Sequence, residues 1–188
     1  MTVNVLEYLE ESEKRFSDKV VFADENSTIT YSELKKNAQS IGSWVLNKTH
    51  NAQRQPIVVY VDRNIESLVL FMGIAYSGNF YVPIDMKMPK LRIELILKTL
   101  NPVAAIIRRE DLEFANSVAP HLSNLIYEEA INGEIKEEKL NIVRQSAIDT
   151  DPLYATFTSG STGIPKGVIT CQRSVIDMTE ALSYTFGF

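Results

Sequence analysis

The sequence has few of the residues that build disulfide frameworks, metal centres or membrane spans. Cys171 is its only cysteine, so no internal disulfide can form, and a reducing, cytoplasmic location is expected. His50 and His121 stand apart in polar surroundings, which indicates surface histidines rather than metal ligands. The longest apolar run, at positions 68–76, is too short to cross a bilayer. The glutamate-rich N-terminus is not expected to be a signal peptide.

The sequence also lacks a concentration of positive charge. The net charge is −5, and no lysine/arginine cluster stands out, so nucleic acids and anionic membrane surfaces are not expected partners. The 188 residues are 45% hydrophobic and 23% charged, which is ordinary for a globular domain with its own core.

One segment carries most of the functional information. Residues 153–167 read LYATFTSGSTGIPKG: an apolar, aromatic strand that runs into a loop of glycines, hydroxyl residues and one lysine. Glycines let backbone N–H groups converge on an anion, hydroxyls add donors, and the lysine adds a mobile charge. Such a loop predicts a cradle for nucleotide phosphates. The candidate phosphate-binding residues are Thr158, Ser159, Gly160, Ser161, Thr162, Gly163, Lys166 and Gly167.

This loop is not the P-loop of kinases and ATPases. The pattern G-x-x-x-x-G-K-[ST], counted from Gly160, requires glycine where Pro165 stands and a hydroxyl residue where Gly167 stands. No Ser-His-Asp set can be argued either, since Ser159 and Ser161 have no nearby base.

The remaining pattern predicts an α/β fold with a mostly parallel sheet flanked by helices. Thr30 and Glu33 form a capping box that starts a helix. Pro83 predicts that a strand ends near it. The charged stretch 128–148 is predicted to be a surface segment outside the core. Strands are expected at 20–23, 28–30, 57–61, 80–84, 103–107, 153–157 and 167–171, and helices at 3–16, 31–46, 67–77, 91–100 and 174–186.

The loop resembles the signature loop of the adenylate-forming (AMP-binding) enzymes. Two further segments resemble motifs of that family in the same order: ITYSEL at 29–34, and GNFYVPID at 78–85 followed by Pro89 and Arg92. The second is more typical of amino-acid-activating members, such as peptide synthetase adenylation domains and D-alanine–carrier protein ligases. One position departs from the family: Gln172 stands where many members carry a histidine.

The resemblance implies an enzyme that joins ATP, with Mg²⁺, to a carboxylic acid, most simply an amino acid, and releases pyrophosphate. The acyl group would then pass to a thiol, either a carrier protein's phosphopantetheine or coenzyme A. It implies that residues 158–163 and Lys166 bind the ATP phosphates. No catalytic residue or metal ligand can be named in this sequence.

The family's length implies that residues 1–188 are the N-terminal part of the large domain. The rest of that domain and the C-terminal lid domain would be absent, leaving this piece inactive alone. The alternatives are an acyl-CoA synthetase acting on a fatty or aromatic acid, a non-catalytic nucleotide-binding module, and a structural α/β domain with a vestigial loop.

Overall fold

The computed structural model describes residues 2–61, 64–158 and 165–187. Strands and helices alternate along most of the chain, as the sequence predicts. The strands are β1 (Val20–Ala23), β2 (Thr28–Thr30), β3 (Pro56–Val61), β4 (Phe80–Asp85), β5 (Ala104–Ile107), β6 (Asn124–Ile126), β7 (Pro152–Thr158) and β8 (Lys166–Cys171). The helices are α1 (Leu6–Phe16), α2 (Tyr31–Lys48), α3 (Ile65–Tyr76), α4 (Lys90–Leu100), α5 (Leu112–Val118), α6 (Tyr127–Ala130), α7 (Glu137–Ser146) and α8 (Gln172–Phe186).

The centre of the molecule is a six-stranded sheet in the order β6-β5-β3-β4-β7-β8. The first five strands in this order run parallel, and β8 runs antiparallel to β7. A separate two-stranded hairpin pairs β1 with β2. The prediction of a mostly parallel α/β sheet is therefore confirmed.

Helices cover both faces of the sheet, which explains why β3 reads as an unbroken apolar run. Ile57 and Val59 face a core shared with α1, α2, α3, α6 and α7. Val58 and Tyr60 face the opposite core, shared with α4 and α5. Alternate residues of one strand are thus buried on opposite faces.

Local signals fix where several helices begin and end. The side chain of Thr30 accepts a hydrogen bond from the Glu33 backbone N–H, and the Glu33 side chain accepts one from the Thr30 backbone N–H, so the predicted capping box is confirmed. The Asn64 side chain caps α3 by accepting from the Ser67 N–H at 3.0 Å. Helix α4 ends at Asn101, which adopts φ 49° directly before Pro102.

The strand predicted at 80–84 is confirmed as β4, which extends one residue further to Asp85. Pro83 is accommodated within it because β4 pairs with β7 at Tyr81, so Pro83 has to donate no hydrogen bond to that strand. One expectation from the sequence was wrong. The stretch 128–148 is not merely a surface segment. It contains α7, whose Leu140 and Val143 are 5% and 6% exposed and join the core beside α2 and α3.

One end of the described structure is rich in exposed apolar side chains. They lie on the edge strand β8 and along α8, and they are Val168, Ile169, Met178, Leu182, Tyr184 and Phe186. No described helix is long and apolar enough to cross a membrane.

Candidate phosphate-binding site

The candidate site is the connection between β7 and β8. The two strands pair from Pro152 and Cys171 at one end to Thr158 and Lys166 at the other. Both strands flanking the loop are therefore confirmed, and the loop leaves the sheet at the carboxyl end of β7. In open parallel sheets this is the edge where ligands bind.

The structure places only some of the predicted phosphate-binding residues. Thr158 is the last residue of β7, and Lys166 and Gly167 are the first two of β8. All three are exposed. Ser159, Gly160, Ser161, Thr162 and Gly163 lie outside the described residues.

The surroundings of the loop distinguish it from a P-loop in a second way. A P-loop joins a strand to a helix, whose N-terminus helps to hold the phosphates. Here the loop joins two antiparallel strands, and α8 begins only at Gln172. Any anion bound here would depend on the loop itself and on groups beside it, not on a helix that follows the loop.

Gly167 has a packing role that its sequence position does not reveal. It lies opposite Phe157 in the β7–β8 pairing. A Cβ atom built on Gly167 would lie 3.0 Å from Cζ and 3.1 Å from Cε1 of the Phe157 ring. The glycine thus lets an aromatic ring lie across the hairpin, next to the loop.

The FYVPID segment is structural in this part of the molecule. The Tyr81 ring stacks on Phe71 at 4.2 Å and on Tyr154 at 5.7 Å between ring centroids. Burial raises the pKa of Tyr81 to about 12. Asp85 accepts a hydrogen bond from the Lys87 backbone N–H at 2.8 Å, which shapes the turn after β4. The prediction of a structural Asp85 at a strand end is confirmed.

Gln172 lies at the end of β8 remote from the loop, because β8 runs antiparallel to β7. Its side chain is 3% exposed, and its Oε1 accepts from the Val5 N–H at 3.0 Å. Its own N–H donates to the Asp151 carbonyl at 2.9 Å. Through these two hydrogen bonds, Gln172 connects the start of α8 to the N-terminal segment and to the residue before β7.

An ion pair that the sequence did not predict lies at the edge of the sheet opposite the loop. Arg54, which precedes β3, donates from Nε to Asp151 Oδ1 at 2.6 Å and from Nη2 to Oδ2 at 3.3 Å. This bidentate geometry joins the entries of β3 and β7. Arg54 adopts φ 57°, an unusual conformation for a residue with a side chain. A lone arginine and a lone aspartate 97 positions apart leave no signal in the sequence.

The remaining candidates have ordinary roles. His50 and His121 are exposed, as predicted. Cys171 is free and half-buried, and a hydrogen bond with the Ser174 side chain lowers the pKa of its thiol. Within the described ranges, no group of three or more His, Cys, Asp or Glu residues could hold a metal ion.

Comparison with known proteins identifies the family. The family model described as AMP-binding enzyme matches residues 9–188. A D-alanine--D-alanyl carrier protein ligase from Listeria monocytogenes serotype 4a is 30% identical over 99% of this chain, which spans 36% of that protein. Tyrocidine synthase 1 from Brevibacillus parabrevis is 26% identical over 98% of this chain, which spans 16% of that protein. The chain thus spans about a third or less of these relatives.

Solved structures share the fold. VinN superposes with a TM-score of 0.82 at 19% identity, covering 100% of this chain and 51% of VinN. A fatty acyl-adenylate ligase from L. pneumophila, solved with acyl adenylate and pyrophosphate, gives 0.78 at 18% identity, covering 98% of this chain and 33% of its own. Because the family model matches nearly the whole sequence, the chain belongs to the AMP-binding enzyme family.

Proposed function

We propose that the protein containing this chain is an adenylate-forming ligase that activates an amino acid with ATP. The observation that carries the proposal is the loop of glycines, hydroxyls and Lys166, attached at the carboxyl edge of the sheet in a chain of the AMP-binding family. The reaction is phosphoryl chemistry, in which positioning and charge neutralisation are most of what a protein supplies.

In the proposed step, a carboxylate oxygen of the substrate forms a bond to the α-phosphorus of ATP. The bond from that phosphorus to the bridging oxygen of the leaving pyrophosphate breaks, and that oxygen takes the electron pair. Donors in residues 158–163, with Lys166, stabilise the charge that develops on the pyrophosphate. Mg²⁺ accompanies ATP and shields its phosphates. The described residues contain no group of side chains that could hold a metal ion, so we assign Mg²⁺ no protein ligand.

The choice of an amino acid and of a carrier-protein acceptor is supported by the relatives. The Listeria protein is named a D-alanine--D-alanyl carrier protein ligase, and tyrocidine synthase 1 is also similar. We extend both properties to this protein as part of the proposal. A fatty or aromatic acid, and coenzyme A as the thiol, are the competing assignments.

We further propose that residues 1–188 form the N-terminal part of the large domain of this cytoplasmic enzyme and are inactive alone. Two observations support this. The chain spans only 36% of the Listeria ligase, and β8 and α8 expose apolar side chains that further parts of the enzyme would cover. The free, half-buried Cys171 fits a reducing compartment.

The proposal is tested first on Lys166. One charge-assisted contact to phosphate contributes about 1.5–3 kcal/mol, so Lys166→Ala should slow amino-acid-dependent exchange of pyrophosphate into ATP by about tenfold to a hundredfold in the whole protein. Lys98→Ala is the matched control, since Lys98 is exposed at the far end of α4. Unchanged exchange in Lys166→Ala, or a collapsed melting temperature, would show a different role for this lysine.

The same assay decides the substrate class. Exchange that depends only on fatty or aromatic acids would overturn the amino-acid assignment and keep the adenylate-forming class. Substrate-dependent exchange by residues 1–188 alone would overturn the proposal that this part needs the rest of the enzyme.

A further inference from the structure

Gly167 is a glycine whose backbone conformation does not require glycine. Among the glycines that the structure describes, only Gly78 and Gly187 adopt a positive φ, so Gly167 has a backbone that a residue with a side chain also adopts. What excludes a side chain is the Phe157 ring, whose Cζ and Cε1 atoms lie 3.0 and 3.1 Å from the place of a Cβ atom on Gly167. The presence of glycine is therefore explained by the ring.

The Phe157 ring is held from the other side by the core. It packs against a small buried cluster on β4 and β7, which consists of Phe80, Val82 and Ala155. It also packs against the larger cluster that lies between the sheet and α4. The side chain is half-buried, so one part of it joins the core while its outer end covers Gly167. The ring thus connects the interior of the sheet to the backbone of the outermost strand, β8.

This contact lies one residue away from Lys166. In the antiparallel pairing of β7 with β8, Phe157 is opposite Gly167 and Thr158 is opposite Lys166. Because successive side chains of a strand leave on opposite faces, the Lys166 side chain leaves on the face away from the ring. Lys166 is exposed, but it stands between the buried Pro165 and the ring-covered Gly167. The ring therefore supports the backbone from which the lysine extends, without touching the lysine side chain.

We propose that Phe157 is a positioning residue for Lys166, and that Gly167 is a glycine in order to seat the Phe157 ring. With the ring seated, the start of β8 is fixed and the lysine ammonium group is held where it meets the pyrophosphate that leaves ATP. An aromatic ring that covers a glycine of an outer strand is a known means of fixing strand register. Phe157 contacts neither ATP nor the substrate acid and acts through β8. This inference rests on the proposed function, since it requires Lys166 to act on the phosphates.

The first test is amino-acid-dependent exchange of pyrophosphate into ATP by the whole protein. Phe157→Leu keeps an apolar side chain in the core but removes the ring, and a misplaced catalytic group is costly, so exchange should slow by about tenfold or more. Phe157→Tyr keeps the ring and should stay within about twofold of the parent. Tyr154→Leu is the matched control, because Tyr154 is a half-buried aromatic residue of the same strand that lies opposite Thr170 and not opposite a glycine. It should also stay within about twofold.

Two further measurements separate positioning from folding. If the ring acts through Lys166, adding Phe157→Leu to Lys166→Ala should slow exchange by only about twofold more, because the lysine is already gone. Hydrogen–deuterium exchange of the whole protein, followed by mass spectrometry, should show faster exchange at residues 166–171 in Phe157→Leu but not in Tyr154→Leu. Gly167→Ala displaces the ring without removing it, so it should slow pyrophosphate exchange while leaving the melting temperature nearly unchanged.

Several results would overturn the inference. If Lys166→Ala slows exchange but Phe157→Leu behaves like Tyr154→Leu, the lysine acts without the ring and only this inference fails. The same holds if Phe157→Leu costs its full factor in the absence of the lysine, or if Gly167→Ala leaves exchange unchanged. If the parent shows no acid-dependent exchange, or Lys166→Ala exchanges normally, the proposed function fails and this inference fails with it.

Discussion

A close contact between two helices gives a quantitative test of the packing. Helices α2 and α3 cross where Gly42 and Gly73 face each other. A Cβ atom on Gly73 would lie 2.5 Å from Cγ2 and 2.6 Å from Cβ of Ile41. Favourable carbon–carbon contacts are about 3.5–4.0 Å, so Gly73→Ala requires the helices to separate by about 1 Å. Ile41 is fully buried and β-branched, so it cannot rotate away.

The cost can be estimated from two opposing effects. Overpacking a core typically costs about 1–3 kcal/mol. Alanine is better than glycine inside a helix by about 0.8–1.0 kcal/mol, which offsets part of that cost. We therefore expect Gly73→Ala to lower the free energy of unfolding by up to about 2 kcal/mol and the melting temperature by up to about 8 °C. Thermal and urea unfolding followed by circular dichroism measure both quantities.

Gly167→Ala is the matched control, because its Cβ would press on a half-buried phenylalanine ring that can move. Its effect should stay within about 0.5 kcal/mol. Gly42→Ala, with its Cβ 2.7 Å from Cβ of Tyr76, should resemble Gly73→Ala. The double variant should cost less than the sum, since one helix separation relieves both clashes. A melting temperature raised by Gly73→Ala would refute the close helix contact.

Two further predictions concern pH. Hydrogen bonds from the Thr30 backbone and then its side chain hold the pKa of Glu33 below its ordinary value of 4.5. The stabilisation is therefore present above that pH and is lost as pH falls through the lowered pKa, so Glu33→Gln should flatten the acid side of the stability curve in urea titrations. Burial raises the pKa of Tyr60 and Tyr81 to about 12, so their stabilisation should be lost as pH rises from 10.0 through about 12. Burial also raises the pKa of Tyr76 and Tyr127, so phenolate absorbance should show a late-ionising group of tyrosines that includes Tyr60 and Tyr81. One uniform transition near 10.0 in the folded protein would contradict their burial.

Elements with strong local signals were predictable from the sequence. The capping box at Thr30 and Glu33 satisfies backbone N–H groups within four residues, so it requires no knowledge of the fold. The apolar run in β3 is long enough to indicate burial on both faces. The loop after β7 is recognisable from the sequence because glycines, hydroxyl residues and a lysine in one short segment indicate anion binding.

Elements whose stability comes from distant contacts were not predictable. Helix α7 has only two buried residues, Leu140 and Val143, which is too few to show a helical period in a charged stretch. Strand β6 has three residues and depends on pairing with β5. The buried Nε of Arg92 has no hydrogen-bond partner among the described residues, and this depends on the three-dimensional arrangement rather than on the sequence.

The three family motifs also differ in what they say about function. ITYSEL starts α2 through its capping box, and FYVPID supplies Tyr81 to an aromatic stack and Asp85 to a turn. Both build the fold around the loop, and the Tyr81 ring is occupied by Phe71 and Tyr154. A preference for amino acids therefore cannot be derived from Tyr81 contacting substrate. The proposed preference rests on the similarity to a D-alanine--D-alanyl carrier protein ligase, whereas the proposed phosphate site rests on the loop. An exchange assay in the whole protein that succeeds with the wrong class of acid would revise the first and leave the second in place.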